Sequence, residues 1–270
     1  MLRTLIVSLL FVNTAFAEHH ASGKDQVAGD DGAALCSGFG PQTPRDIDQK
    51  MGKNKVTFPI SKSTENMNLC NIHFHRNAEH KAAAFSKLED DDPSKGYQCG
   101  ISENLSEAEL TPIEGEVCKG LKPGDTVEVH WVHSSCDVSP GAGLGACLSD
   151  ACANPSLRVE TQVFTLVNDS SALNFSDFDY KGKSPQGYHA ASWPTDTGVP
   201  VEFTGSTTGP KYTAQSCSPL QVGWSVRPQC AKLDINSLGA WCKDNKFSED
   251  HAHKVRKLVT ELELLSPIGE

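Results

Sequence analysis

The chain has 270 residues, 38% of them hydrophobic and 21% charged, with 10 cysteines and 34 acidic residues against 24 basic ones, for a formal net charge of −10. An apolar share of this size, with 11 Phe and 4 Trp, excludes wholesale disorder, and a mean hydropathy of −0.37 excludes a multispan membrane protein. The acidic balance argues against nonspecific binding to nucleic acid or anionic lipid, because like charges repel.

Residues 1–17 read as a secretory signal peptide. Arg3 precedes an apolar run from Leu5 to Val12, and Ala15-Phe16-Ala17 places small residues before a cut at Glu18. No later stretch is long and apolar enough to span a bilayer, so the expected product is exported, to a periplasm or outside the cell, with no stable membrane insertion. In an oxidising compartment an even cysteine set reads as a disulfide framework rather than as zinc thiolates. Residues 18–33 are polar and rich in Gly, Ala and Asp, a flexible lead-in that carries His19 and His20 as a solvated pair. Residues 34–270 contain no linker and no internal repeat, which makes one domain the economical reading.

Strand signals follow at Val56–Ile60, Asn71–His75, Thr126–His133, Arg158–Val167, Val199–Phe203 and Gln221–Val226, each rich in Val, Ile, Phe or Trp and bounded by Gly, Pro, Ser or Asp. They predict a mainly β domain. Near the end Ser248 could cap a helix over about 248–265, with Val255, Leu258, Val259, Leu262 and Leu265 on one stripe and Pro267 as its stop. His251 and His253 would then be solvated residues of its first turns. The acidic run Glu89–Asp92 reads as a solvated loop, with a weak calcium site as the alternative.

Two strands concentrate the chemistry. In Asn71-Ile72-His73-Phe74-His75 the strand period of two puts Asn71, His73 and His75 on one face, and the two imidazole-bearing Cα atoms lie about 7 Å apart. In Glu128-Val129-His130-Trp131-Val132-His133 the same rule groups Glu128, His130 and Val132 and sends His133 to the other face. One imidazole from a neighbouring strand would complete a three-histidine metal site, and His80 and His133 compete with His130 for that place. Asn71 and Glu128, each two positions before a histidine on the same face, could hold a ligand's second ring proton.

These residues resemble those of the α-type carbonic anhydrases, whose zinc ligands come as HxH and then ExHxxH. The segment Gln42-Thr43-Pro44-Arg45-Asp46-Ile47 is similar to that family's QSPIDI, Gly205-Ser206-Thr207-Thr208 to its GSLTT loop, and Val222-Gly223-Trp224-Ser225-Val226 to its VTWIV strand. The compact run from His73 to Glu79-His80 and the cysteine-rich stretch from Cys136 to Cys152 point more narrowly to the δ-class carbonic anhydrases. The resemblance implies one carbonic-anhydrase-like domain with a large, mostly antiparallel twisted sheet and a few peripheral helices. It also implies a zinc enzyme that interconverts carbon dioxide and bicarbonate through a zinc-bound hydroxide. By the same resemblance His73, His75 and His130 would bind Zn2+, Thr208 would accept the hydroxide's proton and donate its own to Glu79, and Val132 and Trp224 would wall the CO2 pocket.

Cys36 and Cys217 are placed like the disulfide that fixes this loop in secreted α-type relatives. For the remaining cysteines, proximity suggests Cys147 with Cys152 and Cys230 with Cys242. Gly209 and the run Lys211-Tyr212-Thr213-Ala214-Gln215 replace the family's double proline after the loop, so Thr207 could serve in place of Thr208. No residue matches the family's proton-shuttling histidine, and His189 is a candidate only by elimination. Residues 78–88 have a helical composition, which would make Glu79 merely a first-turn acid. Two other readings compete: a cupin-type oxygenase or isomerase that uses His73, His75 and Glu79 as its metal set, and a non-enzymatic exported zinc-binding protein.

Overall fold

The computed structural model describes residues 32–58, 61–115 and 118–269. The predicted signal peptide, the lead-in up to residue 31 and the last two residues of the strand predicted at Val56–Ile60 lie outside the described residues. In chain order the strands are β1 (Asn68–Arg76), β2 (Phe85–Leu88), β3 (Tyr97–Cys99), β4 (Thr126–Ser134), β5 (Leu157–Val167), β6 (Tyr180–Ser184), β7 (Gly187–Ala190), β8 (Val201–Ser206), β9 (Gln221–Val226) and β10 (Ala231–Asp234). The one α-helix among the described residues, α1, spans Ile235–Lys243.

The main sheet runs β1-β4-β5-β9-β8, with β10 also on β5. β1, β4 and β5 pair antiparallel, as do β9 and β8, whereas β9 and β10 each run parallel to β5. One long strand serves both parallel partners, Leu157–Thr161 taking β9 and Phe164–Val167 taking β10. The sheet is covered on both faces, so β4 is buried along its whole length despite Thr126, Glu128, His130 and His133. Val132, Leu157, Val159 and Trp224 belong to the core on one side. Leu69, Phe74, Trp131, Phe164 and Trp241 belong to the other.

α1 packs into that second core. Asp234 caps it by accepting from the Asn236 amide at 3.1 Å, and Ile235, Leu238, Trp241 and Cys242 form its buried face. This cap and stripe are present in the sequence, at a place where no helix was expected.

Three expectations are corrected. Residues 56–58 form no strand. The helix expected at 248–265 is absent; the segment runs extended and closes with a single 3-10 turn at Leu262–Leu264. Its helical stripe is overridden by tertiary hydrogen bonds: His253 N donates to Phe74 O at 2.8 Å and Arg76 N to His253 O at 3.0 Å, which lays the segment along the free edge of β1. Ser248, the expected cap, has φ 57° and accepts no helical amide. The local disulfides Cys147–Cys152 and Cys230–Cys242 do not form either. The bonds are Cys36–Cys217, Cys70–Cys147, Cys99–Cys230, Cys118–Cys242 and Cys136–Cys152, and no cysteine is free. Sequence proximity misled because four of the five join strands or segments that only the fold brings together. Five such bonds point to an oxidising compartment.

His133 faces the second core, fully buried, with Nδ1 3.1 Å from Trp131 O and its ring 5.9 Å from that of Trp193. Burial pushes its pKa from 6.5 down to about 3. The unfolded chain therefore binds a proton below pH 6.5 that the folded chain refuses, so stability is full above 6.5 and falls as pH drops toward 3. This residue contributes a slope of about 1.4 kcal/mol per pH unit. His133→Leu should flatten the urea midpoint against pH between pH 4 and 7; parallel profiles for the two proteins would show that His133 is not the group responsible.

Candidate metal centre

Antiparallel register brings the two histidine strands into one site. His73 sits directly opposite His130, and His75 opposite Glu128, so alternation turns all four side chains to the same face. Nitrogens of His73, His75 and His130 lie within 4.8 Å of one another, and His73 Nε2 is 3.3 Å from His130 Nδ1. Two imidazoles on one tetrahedral zinc, with Zn–N bonds of about 2.0–2.1 Å, place their nitrogens about 3.3 Å apart.

Each ring is oriented from behind. His73 Nδ1 donates to Asn71 Oδ1 at 2.6 Å, His75 Nδ1 to the Lys254 carbonyl at 3.1 Å, and His130 Nε2 to Glu128 Oε1 at 2.7 Å. These acceptors fix the tautomers and leave His73 Nε2, His75 Nε2 and His130 Nδ1 facing inward. His75 Nε2 is buried with no partner, as are His80 Nε2 and His133 Nε2, but only that of His75 belongs to the cluster with His73 and His130. Burial, and then the neighbouring imidazoles of His130, His75 and His253, hold the His73 pKa well below 6.5. Burial likewise lowers that of His75, opposed by Glu79. Both therefore stay neutral, the form that binds metal.

His80 does not join the triad's inward nitrogens. Its Nδ1 donates to Glu128 Oε1 at 2.6 Å and its amide to Glu128 Oε2 at 3.1 Å, so one buried carboxylate organises two imidazoles. Burial acts to raise the Glu128 pKa, but His80 and His130 together, by charge and hydrogen bond, hold it well below the carboxylate range. Glu79 stands behind His75: Oε1 is 3.4 Å from His75 Nδ1 and accepts from the Arg256 amide at 2.8 Å, while the buried Oε2 has no partner. The cupin set of His73, His75 and Glu79 is thus not assembled, and no helix forms at 78–88 to make Glu79 a first-turn acid.

The loop after β8 closes the site from the side. A Cβ on Gly205 would collide with Thr43 Oγ1 and the Trp224 ring, so only glycine fits there. Ser206 N donates to Thr43 Oγ1 at 3.0 Å, Ser218 N donates to Gln42 Oε1 at 2.8 Å, and Cys36–Cys217 ties the same two segments together. The Gln42-Thr43 motif is thereby a brace for this loop. Thr207 Oγ1 is occupied by Ser218 Oγ at 2.5 Å, whereas Thr208 lines the cavities.

Two chambers meet at the triad. The inner one, of about 20 Å³, is walled by Val132, Leu157, Val159, Val222 and Trp224 beside His73 and His130. The outer one, of about 470 Å³, is reached past His75, Thr208, His251 and His253. His253 donates from Nε2 to Glu249 at 2.8 Å, a bond that raises its pKa. His189 lies on β7, where it acts electrostatically on His133 at the other face of the sheet, and lines neither chamber. The Lys254 carbonyl, the Arg256 amide and the place of His253 escape sequence reasoning, because the segment carrying them reads as a helix and backbone groups leave no residue-type signal.

A sheet with three inward-facing histidines, each held by an acceptor, makes a site whose residues could hold a metal ion. A family model described as delta carbonic anhydrase matches residues 64–237, more than half of the chain, and the chain belongs to that family and is a carbonic anhydrase enzyme. No curated protein matches the sequence. Among solved structures it is similar to an α-carbonic anhydrase from Thermovibrio ammonificans in complex with the inhibitor sulfanilamide, at 13% identity over 82% of this chain and 84% of that one, with a TM-score of 0.33. A hyperthermostable carbonic anhydrase from an active hydrothermal vent chimney is similar at 15% identity over 83% and 84%, with a TM-score of 0.30. Among the described residues no helix is long and apolar enough to cross a membrane.

Proposed function

We propose that this chain holds zinc on His73 Nε2, His75 Nε2 and His130 Nδ1 and uses it to interconvert carbon dioxide and bicarbonate. The observation that carries this reading is the match between donor set and metal: three inward nitrogens, one buried and unpartnered, each ring braced by an acceptor on its far side. Zinc bound by neutral ligands keeps its full charge and makes the water on it acidic enough to serve as a nucleophile near neutral pH, the established behaviour of zinc in carbonic anhydrases.

The chain's own groups then bind and orient. The inner chamber offers CO2 apolar walls, including Val132 and Trp224, which suit a molecule with no net dipole. Thr208 stands at the junction of both chambers; Glu79 lines neither, and its buried Oε2 has no partner, so the Thr208–Glu79 hydrogen bond that the family resemblance implies is not made here. A Thr208 hydroxyl that turned to donate to this carboxyl group would be left to accept from the nucleophile, which would aim the oxygen lone pair at the substrate carbon. Thr207 is the weaker candidate, because its hydroxyl is already taken by Ser218. Bicarbonate leaves through the wider outer chamber. Export to a periplasm or to the cell exterior fits the five disulfides.

Metal analysis together with stopped-flow CO2 hydration on the purified chain tests the reading. One zinc per chain with hydration activity supports it; zinc without hydration would leave a binding protein. Thr208→Ala should keep the zinc and lose about 10²-fold in kcat, as expected for a lost orienting hydrogen bond. A variant as fast as the parent would remove Thr208 from this role.

A further inference from the structure

β4 and β5 are antiparallel neighbours with Ser134 opposite Leu157, a pairing that a hairpin of about two to five residues could close. Residues 135–156 stand there instead, and they are heavily anchored. Cys136–Cys152 closes the base of this loop, and Cys70–Cys147 fastens its middle to β1, the strand on the far side of β4 from β5. Ser134 Oγ donates to Cys147 O at 2.8 Å, Gly141 N to Cys70 O at 3.0 Å, and Asn71 Nδ2 to Gly141 O at 3.0 Å. The last bond belongs to the same Asn71 that orients His73. Gly143, with φ 63°, then turns the chain so that Leu144 reaches the metal face of the sheet.

Leu144 lines both chambers, a position it shares with His73 and Thr208. The last two belong to the chemistry, and the first is a plain wall. On its inner side is a space of about 20 Å³, little more than the roughly 10–15 Å³ that one water-sized probe needs; on its outer side is one of about 470 Å³. A rotamer-bearing aliphatic side chain on an exposed loop would be a poor partition if the loop could move. Here the Cys70–Cys147 bond and the Gly141 hydrogen bonds hold its base.

We propose that Leu144, clamped through the Cys70–Cys147 bridge, is the specificity-determining wall that keeps the inner chamber to the size of a triatomic substrate and bars larger carbonyl compounds from the triad. This rests on the inner chamber being the CO2 site.

Leu144→Ala removes this side chain from the partition it shares with His73 and Thr208; because Leu144 is partly buried and packs against the first core, urea unfolding of the variant is compared with the parent to show that the domain still folds. The probe is 4-nitrophenyl acetate, whose hydrolysis adds water to the acetyl carbon, breaks the ester C–O bond and releases acetate, nitrophenolate and protons. Leu144→Ala should raise the ratio of ester hydrolysis to CO2 hydration, each as kcat/KM, by at least about tenfold, the worth of a methylene or more in an apolar pocket. The double variant Cys70→Ser with Cys147→Ser should shift it the same way with the leucine still present. Leu144→Phe should shift it the opposite way. Independently of turnover, 129Xe NMR should show xenon entering the merged cavity of Leu144→Ala and not that of the parent, because apolar cavities of sufficient size take up xenon. An unchanged ratio with unchanged xenon uptake would overturn the proposal. A zinc-loaded parent without CO2 hydration would overturn the functional reading instead, and the xenon comparison alone would then decide whether Leu144 closes the chamber.

Discussion

His130→Ala is expected to bring CO2 hydration down to the uncatalysed background and to leave the purified chain with far less than one zinc, while the domain stays folded. The reason is positional. His130 supplies the nitrogen 3.3 Å from His73 Nε2, and it comes from the strand opposite, so no neighbour on β1 can take its place. Two imidazoles leave the metal open on two sides and loosely held. The fold tolerates the loss because Glu128, which would otherwise be stranded, keeps both bonds from His80, at 2.6 and 3.1 Å. His80 provides the control. It could complete a different set with Glu128 and His130, whose ligating atoms also lie within 4.8 Å of one another. Its Nε2, however, is buried away from the triad beside Trp224, with ring centroids 4.7 Å apart. His80→Ala should therefore keep its zinc, though with weaker stability. Metal analysis, stopped-flow hydration with a pH indicator, and circular dichroism on the two variants distinguish the sets; a His130→Ala protein with full zinc and parental rate would remove His130 from the site.

The site's front was legible in the sequence because it obeys a local rule. Alternation along a strand placed His73 with His75, and Glu128 with His130 and Val132, and it turned His133 away; each placement needs only the period of two. The register that sets His73 opposite His130 is not local, and composition alone could not supply it. Strands β1, β4, β5, β8 and β9 carried enough Val, Ile, Phe and Trp to announce themselves. β6, with its Tyr-Lys-Gly-Lys-Ser sequence, and the four-residue β10 did not.

The site's back was not legible. The acceptor for His75 is the carbonyl of Lys254, and the group that holds Glu79 is the amide of Arg256, both in a segment whose stripe of Val255, Leu258, Val259 and Leu262 imitates a helix. What decides its conformation is the unpaired edge of β1, which offers backbone hydrogen bonds that a helix there would leave unmet. The two disulfides inferred from proximity failed for a related reason, whereas Cys36 and Cys217, paired by the family resemblance, are bonded. Cys99 and Cys230 are separated by 131 residues, and Cys118 and Cys242 by 124, so neither pair can be found until the strands are placed.

Glu128→Gln should be the most damaging isosteric change in the molecule. The carboxylate is fully buried and accepts three hydrogen bonds, from His130 Nε2, His80 Nδ1 and the His80 amide. Glutamine has the same shape but only one accepting oxygen, and its amide nitrogen must then face a donor. If the nitrogen faces the His80 amide, that donor is left buried and unpaired. If it takes the place of Oε1 it faces both His130 Nε2 and His80 Nδ1; His130 must then move its proton to Nδ1, the nitrogen that points into the triad, and a protonated nitrogen cannot bind metal. Either arrangement costs about 1–3 kcal/mol of stability, and the second also weakens zinc binding by about 10–100-fold. Competition against a chromogenic chelator reads the affinity, urea unfolding of the metal-free chain reads the stability, and 15N shifts of the His130 ring read the tautomer. Weakened zinc binding with the His130 proton still on Nε2 would show that Glu128 acts through packing alone. Unchanged affinity and stability would mean that its hydrogen bonds do not organise the site.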